Sequence, residues 1–461
     1  MASILATIVF AITVFTSVIN SHTAKISPEL QEEVRGRSGN VHFMVDFCTS
    51  SSSFMEDMKT MKFPNRALRL MAARERLQIG VLATQRSIVN ILELEKTTRP
   101  TLKYKTFITA NRIYVEGADE RVLERISESS DVCSIRKQAV ATIPEPLDVK
   151  IVPRSETYEN TWGVEAVNAP QAWEQGYTGK GIVVGVLDTG CMPTHEALRG
   201  NIRRSFSWHD AFGRSTEPYD DHGHGTHVTG TIVGYPGIGV APGAEFMSCK
   251  CCTQDGDCPE NAVLECLDYM ACPYTTDGTE FCHEAPHIIS ASWGGGEGDT
   301  TFTDAIQTCR DAGIVPVFSA GNNGSHCGTV NSPGDSPIAV AVGATEPDTS
   351  LAYFSGRGPS IYGGIKPDIS APGVDIRSAY PASETSYATA SGTSMAAPHV
   401  AGMCAILLQK YPALQGRVND FIPMLLRNVQ NHGILTSAYC GGNATCPNNY
   451  HGYGIVQYKS T

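Results

Sequence analysis

Residues 391–402 read SGTSMAAPHVAG. Ser394 follows two small residues, Gly392 and Thr393, that leave its hydroxyl accessible, and it opens an apolar stretch that reads as a helix. Pro398 falls within the first turns of that helix, where a missing N–H costs little. Upstream lie three short apolar runs with the look of buried strands: IVVGVLD at 182–188, IISASW at 288–293 and IVPVFSA at 314–320. Helical stretches separate them. Continuous apolar strands alternating with helices predict an α/β domain in three layers, with a mainly parallel sheet covered on both faces. Reactive groups in such sheets sit at the carboxyl ends of the strands.

Three further segments carry chemistry-bearing residues. In VLDTG, 186–190, a buried strand ends in Asp188 and turns at Thr-Gly. Taken alone, this Asp could simply close a strand. HGHGTHVTG, 222–230, interleaves His222, His224 and His227 with small residues. It could be a metal site, yet the small residues also let a helix press its first turn against a neighbour. SAGNNG, 319–324, follows the strand that ends near Ala320.

Upstream of this domain the texture differs. VHFMVDF alternates as a strand, a helix is predicted over about 65–95, KTFITA and NRIYVEG read as a hairpin turning near Asn111, ADERVLERISES is a second helix, and CSIRKQAV a last strand. That βαββαβ order predicts a small α+β ferredoxin-like domain. In that arrangement the last strand lies antiparallel beside the first, which brings Cys48 near Cys133 and predicts a disulfide between them. Residues 142–158 are rich in Pro, Glu and Arg without periodicity and read as a linker.

The chain has 461 residues, too many for one ordinary core, so at least two domains are expected. A net charge of -12 argues against nucleic-acid binding, which needs a surplus of Lys and Arg. The uncharged run at 4–19 is short for a bilayer span and reads as a signal peptide, assigned to residues 1–21; an uncleaved anchor is the alternative. Fifteen cysteines behind such a segment point to disulfides in an oxidising compartment rather than to zinc. The odd total leaves at least one thiol unpaired, and Cys404, in an apolar helical run, is the candidate. Cys440 and Cys446 are expected to close a small loop.

Together the VLDTG, HGHGTHVTG and SGTSMAAPHVAG segments resemble those of the subtilisin-like serine peptidases, over roughly residues 162–458. The order Asp, His, Ser matches that family. The resemblance implies a secreted serine endopeptidase that hydrolyses protein peptide bonds. Ser394 would be the nucleophile, His224 the general base and then acid, and Asp188 the carboxylate that orients the imidazole. His227 is expected to be packed or hydrogen-bonded, and His222 falls one turn too early for the base. Asn322 maps to the side-chain donor for the tetrahedral oxyanion, with the Ser394 backbone N–H as the second donor.

The resemblance also implies substrate-binding residues. Ser292, Trp293 and Gly294 match the segment that pairs with substrate backbone. Trp293 is expected to line a subsite, with a core tryptophan as the alternative. Ala320, Gly321 and Asn331 match the walls and floor of the S1 pocket. Asn331 departs from the small residue usual there, so it narrows and polarises the pocket. No acidic residue falls at these positions, so a strict preference for Arg or Lys is not supported. The sequon at Asn323 lies beside Asn322 and is expected to stay unmodified, whereas Asn443-Ala444-Thr445 is the expected glycan site.

The helix after HGTHVTG reaches GVAP without the longer Asn-containing calcium loop of many subtilisins. No cofactor is required for catalysis, no metal ligand is assigned, and structural calcium is left open and not indicated. The upstream domain, residues 22–150 with a boundary within 142–158, resembles the family's inhibitor-like propeptide and makes the chain an autoprocessed zymogen. The peptidase domain spans 151–461. Its partners are protein or peptide substrates and its own propeptide, with no membrane contact once the signal is removed, and a monomer is expected. Two other functions stay open: a catalytically silent binding relative, and a metallohydrolase built on the His and Cys clusters.

Overall fold

The computed structural model describes residues 25–36, 40–153, 159–431, 440–441 and 445–460. The expected signal peptide at 1–21 and Asn443 and Ala444 of the expected glycan site lie outside the described residues. The chain divides into two compact units, one of residues 1–56 with 75–139, the other of residues 57–74 with 140–461.

The first unit begins with helix α1 (Pro28–Gly36) and strand β1 (Val41–Phe47), and contains most of the long helix α2 (Arg66–Lys96). Strands β2 (Lys103–Phe107) and β3 (Arg112–Ala118), helix α3 (Glu120–Ser127) and strand β4 (Val132–Arg136) complete it. The sheet order is β2-β3-β1-β4 with every neighbour antiparallel, which is the predicted ferredoxin-like arrangement. Alternation in β1 drives it: Phe43 and Val45 are fully buried, against Ile113, Val115 and Ile135 of the flanking strands. Asn111 turns the hairpin with φ 46°, and the Asp119 carboxylate caps α3 by accepting from Val122 N. The disulfide Cys48–Cys133 is present, with Cα atoms 4.9 Å apart.

The second unit is a three-layer α/β domain. After short strands β5 (Val140–Thr142) and β6 (Leu147–Val152) come helices α4 (Trp162–Ala166) and α5 (Ala169–Glu174). Next are β7 (Val183–Asp188), β8 (Trp208–Asp210), α6 (His224–Val233), β9 (Glu245–Lys250), β10 (Asp257–Pro259) and α7 (Glu260–Ala271). Then follow β11 (Ile288–Ala291), α8 (Thr303–Ala312), β12 (Val315–Ser319), β13 (Val340–Thr345), β14 (Ile369–Pro372), β15 (Ile376–Ala379) and β16 (Tyr387–Ser391). Helices α9 (Thr393–Lys410) and α10 (Val418–Leu425) and strands β17 (Val429–Gln430) and β18 (Ile455–Val456) end it.

Nine strands form one sheet in the order β17-β18-β14-β13-β12-β11-β7-β9-β8, parallel from β18 to β8. The central strands β7, β11, β12, β13 and β14 are buried along their whole length because both faces are covered. Val184 and Val186 of β7 join Val228, Ile232, Val400 and Ala401 of α6 and α9 in one core. Gly185, between those two valines, faces Met270 of α7, where a Cβ would come within 2.5 Å of its sulfur.

The stretch read as a bare linker starts at the last residue of β5 and carries β6. Both form by pairing with edges supplied elsewhere, β5 with β10 and β6 with β16, and a local pattern interrupted by Pro144 and Pro146 does not announce that. The cysteines form five disulfides, Cys48–Cys133, Cys249–Cys266, Cys252–Cys258, Cys272–Cys282 and Cys327–Cys440. Cys404 is a buried free thiol as expected, but Cys191, Cys251, Cys309 and Cys446 are free as well. The expected Cys440–Cys446 loop is replaced by Cys327–Cys440, since spacing does not decide connectivity.

Candidate active site

Asp188 is the last residue of β7 and sits at the carboxyl end of the sheet. His224 is the first residue of α6, and its Nδ1 lies 2.7 Å from Asp188 Oδ1, with both side chains fully buried. The approach needs Gly225: a Cβ there would come within 2.1 Å of the Gly190 carbonyl. Small residues after His224 therefore do press the helix against the Asp188 turn.

Asp220 organises this corner, and the motif reading passed over it. Its Oδ1 accepts from Thr189 Oγ1 and from the backbone N–H groups of His222 and Gly223, and its Oδ2 accepts from Thr226 N and Oγ1. Burial would raise its pKa, but those hydrogen bonds outweigh it and hold the carboxyl below its usual range. His227 is buried, with Nε2 3.0 Å from the Ile376 carbonyl and 3.2 Å from that of Ala388. Burial, then the nearby His224, lowers its pKa to about 4. His222 precedes the helix; burial, then His224, lowers its pKa too.

Ser394 is the second residue of α9. Its hydroxyl, read as accessible, is buried here and donates to the Ser292 carbonyl at 3.4 Å, while His224 Nε2 has no hydrogen-bond partner. Pro398 lies deeper in the helix than expected, as its sixth residue, and so withholds an i→i−4 bond from the Ser394 carbonyl. Ser292 Oγ donates to that carbonyl instead, at 3.3 Å. The helix thus starts tightly against the strand beside it.

Asn322 follows β12. Its Oδ1 accepts from Thr393 N and Thr393 Oγ1, both at 2.9 Å, which turns its Nδ2 toward the Glu145 carbonyl, 3.4 Å away. Thr393 also receives the Gly321 N–H on its hydroxyl. Thr393, which the sequence marked only as small, thereby holds the Asn322 side chain in place.

Residues 140–145 run along this cleft, the first three of them as β5. Thr142 and Gly294 exchange both backbone hydrogen bonds at 2.9 Å, Ile143 N donates to Gly256 O at 2.9 Å, and β5 pairs antiparallel with β10. Gly294 and β10 are thus opposite edges that hold this segment of the chain itself; the sequence suggested Gly294 as an edge for substrate and did not suggest β10. Trp293 differs from expectation. Its indole is 1% exposed, donates to the Leu187 carbonyl and packs edge-on to Phe302 and Phe318. It is a core side chain, because its position alternates inward from the edge. Ala320, Gly321 and Asn331 come together: Asn331 N donates to Ala320 O, and the Asn331 amide covers Gly321. Asn331 Oδ1 accepts from Asn323 Nδ2, the atom a glycan on that sequon would need.

The arrangement offers a buried carboxylate–imidazole pair, a serine at a helix start, an oriented amide donor and two backbone edges for an extended chain. Comparison with known proteins agrees with this geometry. The model of the subtilase family matches residues 179–454. Bacillopeptidase F of Bacillus subtilis is 30% identical over 99% of this chain and 35% of its own length. M-protease of Shouchella clausii is 35% identical over 65% of this chain and 69% of its own, and subtilisin Savinase of Lederbergia lenta is 35% identical over 65% and 97%. The chain therefore spans about a third of the length of Bacillopeptidase F but nearly all of the subtilisin. By fold and by these matches, the chain belongs to the subtilase family of serine-type endopeptidases.

Proposed function

We propose that this protein is a secreted endopeptidase that cleaves protein chains through Asp188, His224 and Ser394 and that is made as an autoprocessed precursor. His224 takes the Ser394 proton as Oγ attacks the scissile carbonyl, and Asp188 stabilises the imidazolium that forms. The oxyanion is held by Asn322 Nδ2 and the Ser394 N–H. Collapse transfers the proton from His224 to the leaving amine, and water, activated in the same way, releases the acyl group. No cofactor takes part in these steps.

The observation that carries the reading is the segment at 140–145, which begins with β5. It meets Gly294 as an extended substrate would, and it brings a backbone carbonyl within 3.4 Å of Asn322 Nδ2. The inhibitor-like segment would thereby occupy the cleft until it is cut within 142–158. Five disulfides support an oxidising destination, and among the described residues no helix is long and apolar enough to cross a membrane. Expression of Ser394→Ala tests the processing step: full-length precursor should accumulate, and normal maturation of that variant would mean that another protease makes the cut.

A further inference from the structure

The cleft wall opposite Gly294 is β10, three residues long, and its only strand partner among the described residues is β5. Once 140–145 has left, a strand that short has no ladder to hold its shape. What remains is one disulfide, a few hydrogen bonds and the start of α7, which follows directly on Pro259. Cys258, the middle residue of β10, is bonded to Cys252. The N–H groups of Cys251 and Cys252 both donate to the carbonyl of Asp188, at 3.0 and 3.1 Å. Cys252 O accepts from the buried Lys250 Nζ, which also donates to Thr189 O. Within the loop, Thr253 N donates to Asp257 O, and Gly256, whose carbonyl receives Ile143 N, turns with φ 84°. Beyond β10, Cys266 of α7 is tied back to Cys249 of β9. The substrate edge is thus strung between two bridges, one of which starts at the backbone of Asp188.

We propose that the Cys252–Cys258 disulfide is a positioning element that holds β10 ready for the backbone of a substrate on the side N-terminal to the scissile bond. It rests on the reading of 140–145 as the substrate path. A preformed edge spares the bound chain the cost of ordering the loop. It adds nothing to bond breaking at Ser394. The neighbouring Cys251 thiol, 3.8 Å from Cys252 Sγ, does not disturb the bridge: it is buried, and burial, then Asp188, pushes its pKa well up, so it stays protonated.

The test compares the mature enzyme with its Cys252→Ser/Cys258→Ser variant, using a tetrapeptide anilide and an N-acyl amino-acid ester that reaches only the S1 pocket. Rates are normalised to sites titrated by a fluorophosphonate. The tetrapeptide should lose about tenfold or more in kcat/KM through KM, and the ester should hold within about twofold. A Cys272→Ser/Cys282→Ser control, which removes a bridge with no residue paired to 140–145, should leave the ratio of the two substrates unchanged. Equal loss on both substrates, or loss on neither, overturns the proposal. So does a complete absence of titratable sites in the variant while the control folds, since the bridge would then be a folding requirement. Ester hydrolysis that survives Ser394→Ala would instead sink the reading of the active site and leave the two failures distinguishable.

Discussion

Thr393 shows what a motif reading reaches at the scale of one residue and what it misses. The roles proposed for Ser394, His224, Asp188 and Asn322 are legible because that chemistry needs those residue types in those strings. Thr393 and Asp220 act on other residues, through hydrogen bonds that span 71 positions in one case and 31 in the other. Nothing local in the sequence reports such distances. If Thr393 fixes the Asn322 amide, Thr393→Val should lower turnover about tenfold with KM little changed, and Thr393→Ser should restore it. Removing the donor outright, as Asn322→Ala, should cost about 100- to 1000-fold in turnover. Steady-state kinetics on a peptide substrate check both, and a loss confined to KM would assign Thr393 to binding instead.

At the scale of elements, the apolar strands were legible because burial on both faces makes them continuous apolar runs, and both βαββαβ helices because burial of one face imposes a period on them. β5, β6 and β10 were not. They are three to six residues long, lie close to or contain a proline (Pro144, Pro146, Pro259), and exist through partners elsewhere in the chain. Trp293 illustrates a related limit: alternation decides which way a strand residue turns, and the motif match does not carry that information. The start of α6 makes a sharper prediction. Gly225→Ala would place a Cβ against the Gly190 backbone carbonyl, where no rotamer change gives relief. The variant should lose about 2 kcal/mol of stability or more, read as a lower urea midpoint, together with most of its activity. An unchanged midpoint would mean that the Asp188 turn can yield. Ser292→Ala would leave the Ser394 carbonyl, freed by Pro398, without its donor, and should cost about 1 kcal/mol in the same assay.

For the whole molecule, two fully buried histidines tie stability to pH. Burial, then His224, holds His227 near 4, and burial holds His399 near 4, whereas an unfolded chain protonates both near 6.5. As pH falls from 6.5 toward 4 the unfolded state takes up protons that the folded state refuses, so stability is full above 6.5 and drains through that window. Each contributes on the order of 3 kcal/mol to the loss. Urea midpoints of inactive Ser394→Ala at pH 7.5 and 4.5 should show it, with a smaller drop in Ser394→Ala/His399→Gln; equal drops would exclude His399 as a source. The central claim concerns Ser394 itself. Labelling the mature protein with a fluorophosphonate and mapping the modified peptide tests it most directly. The label should sit on Ser394, vanish in Ser394→Ala and fall steeply in His224→Ala. Labelling elsewhere, or labelling that persists in Ser394→Ala, would contradict the account.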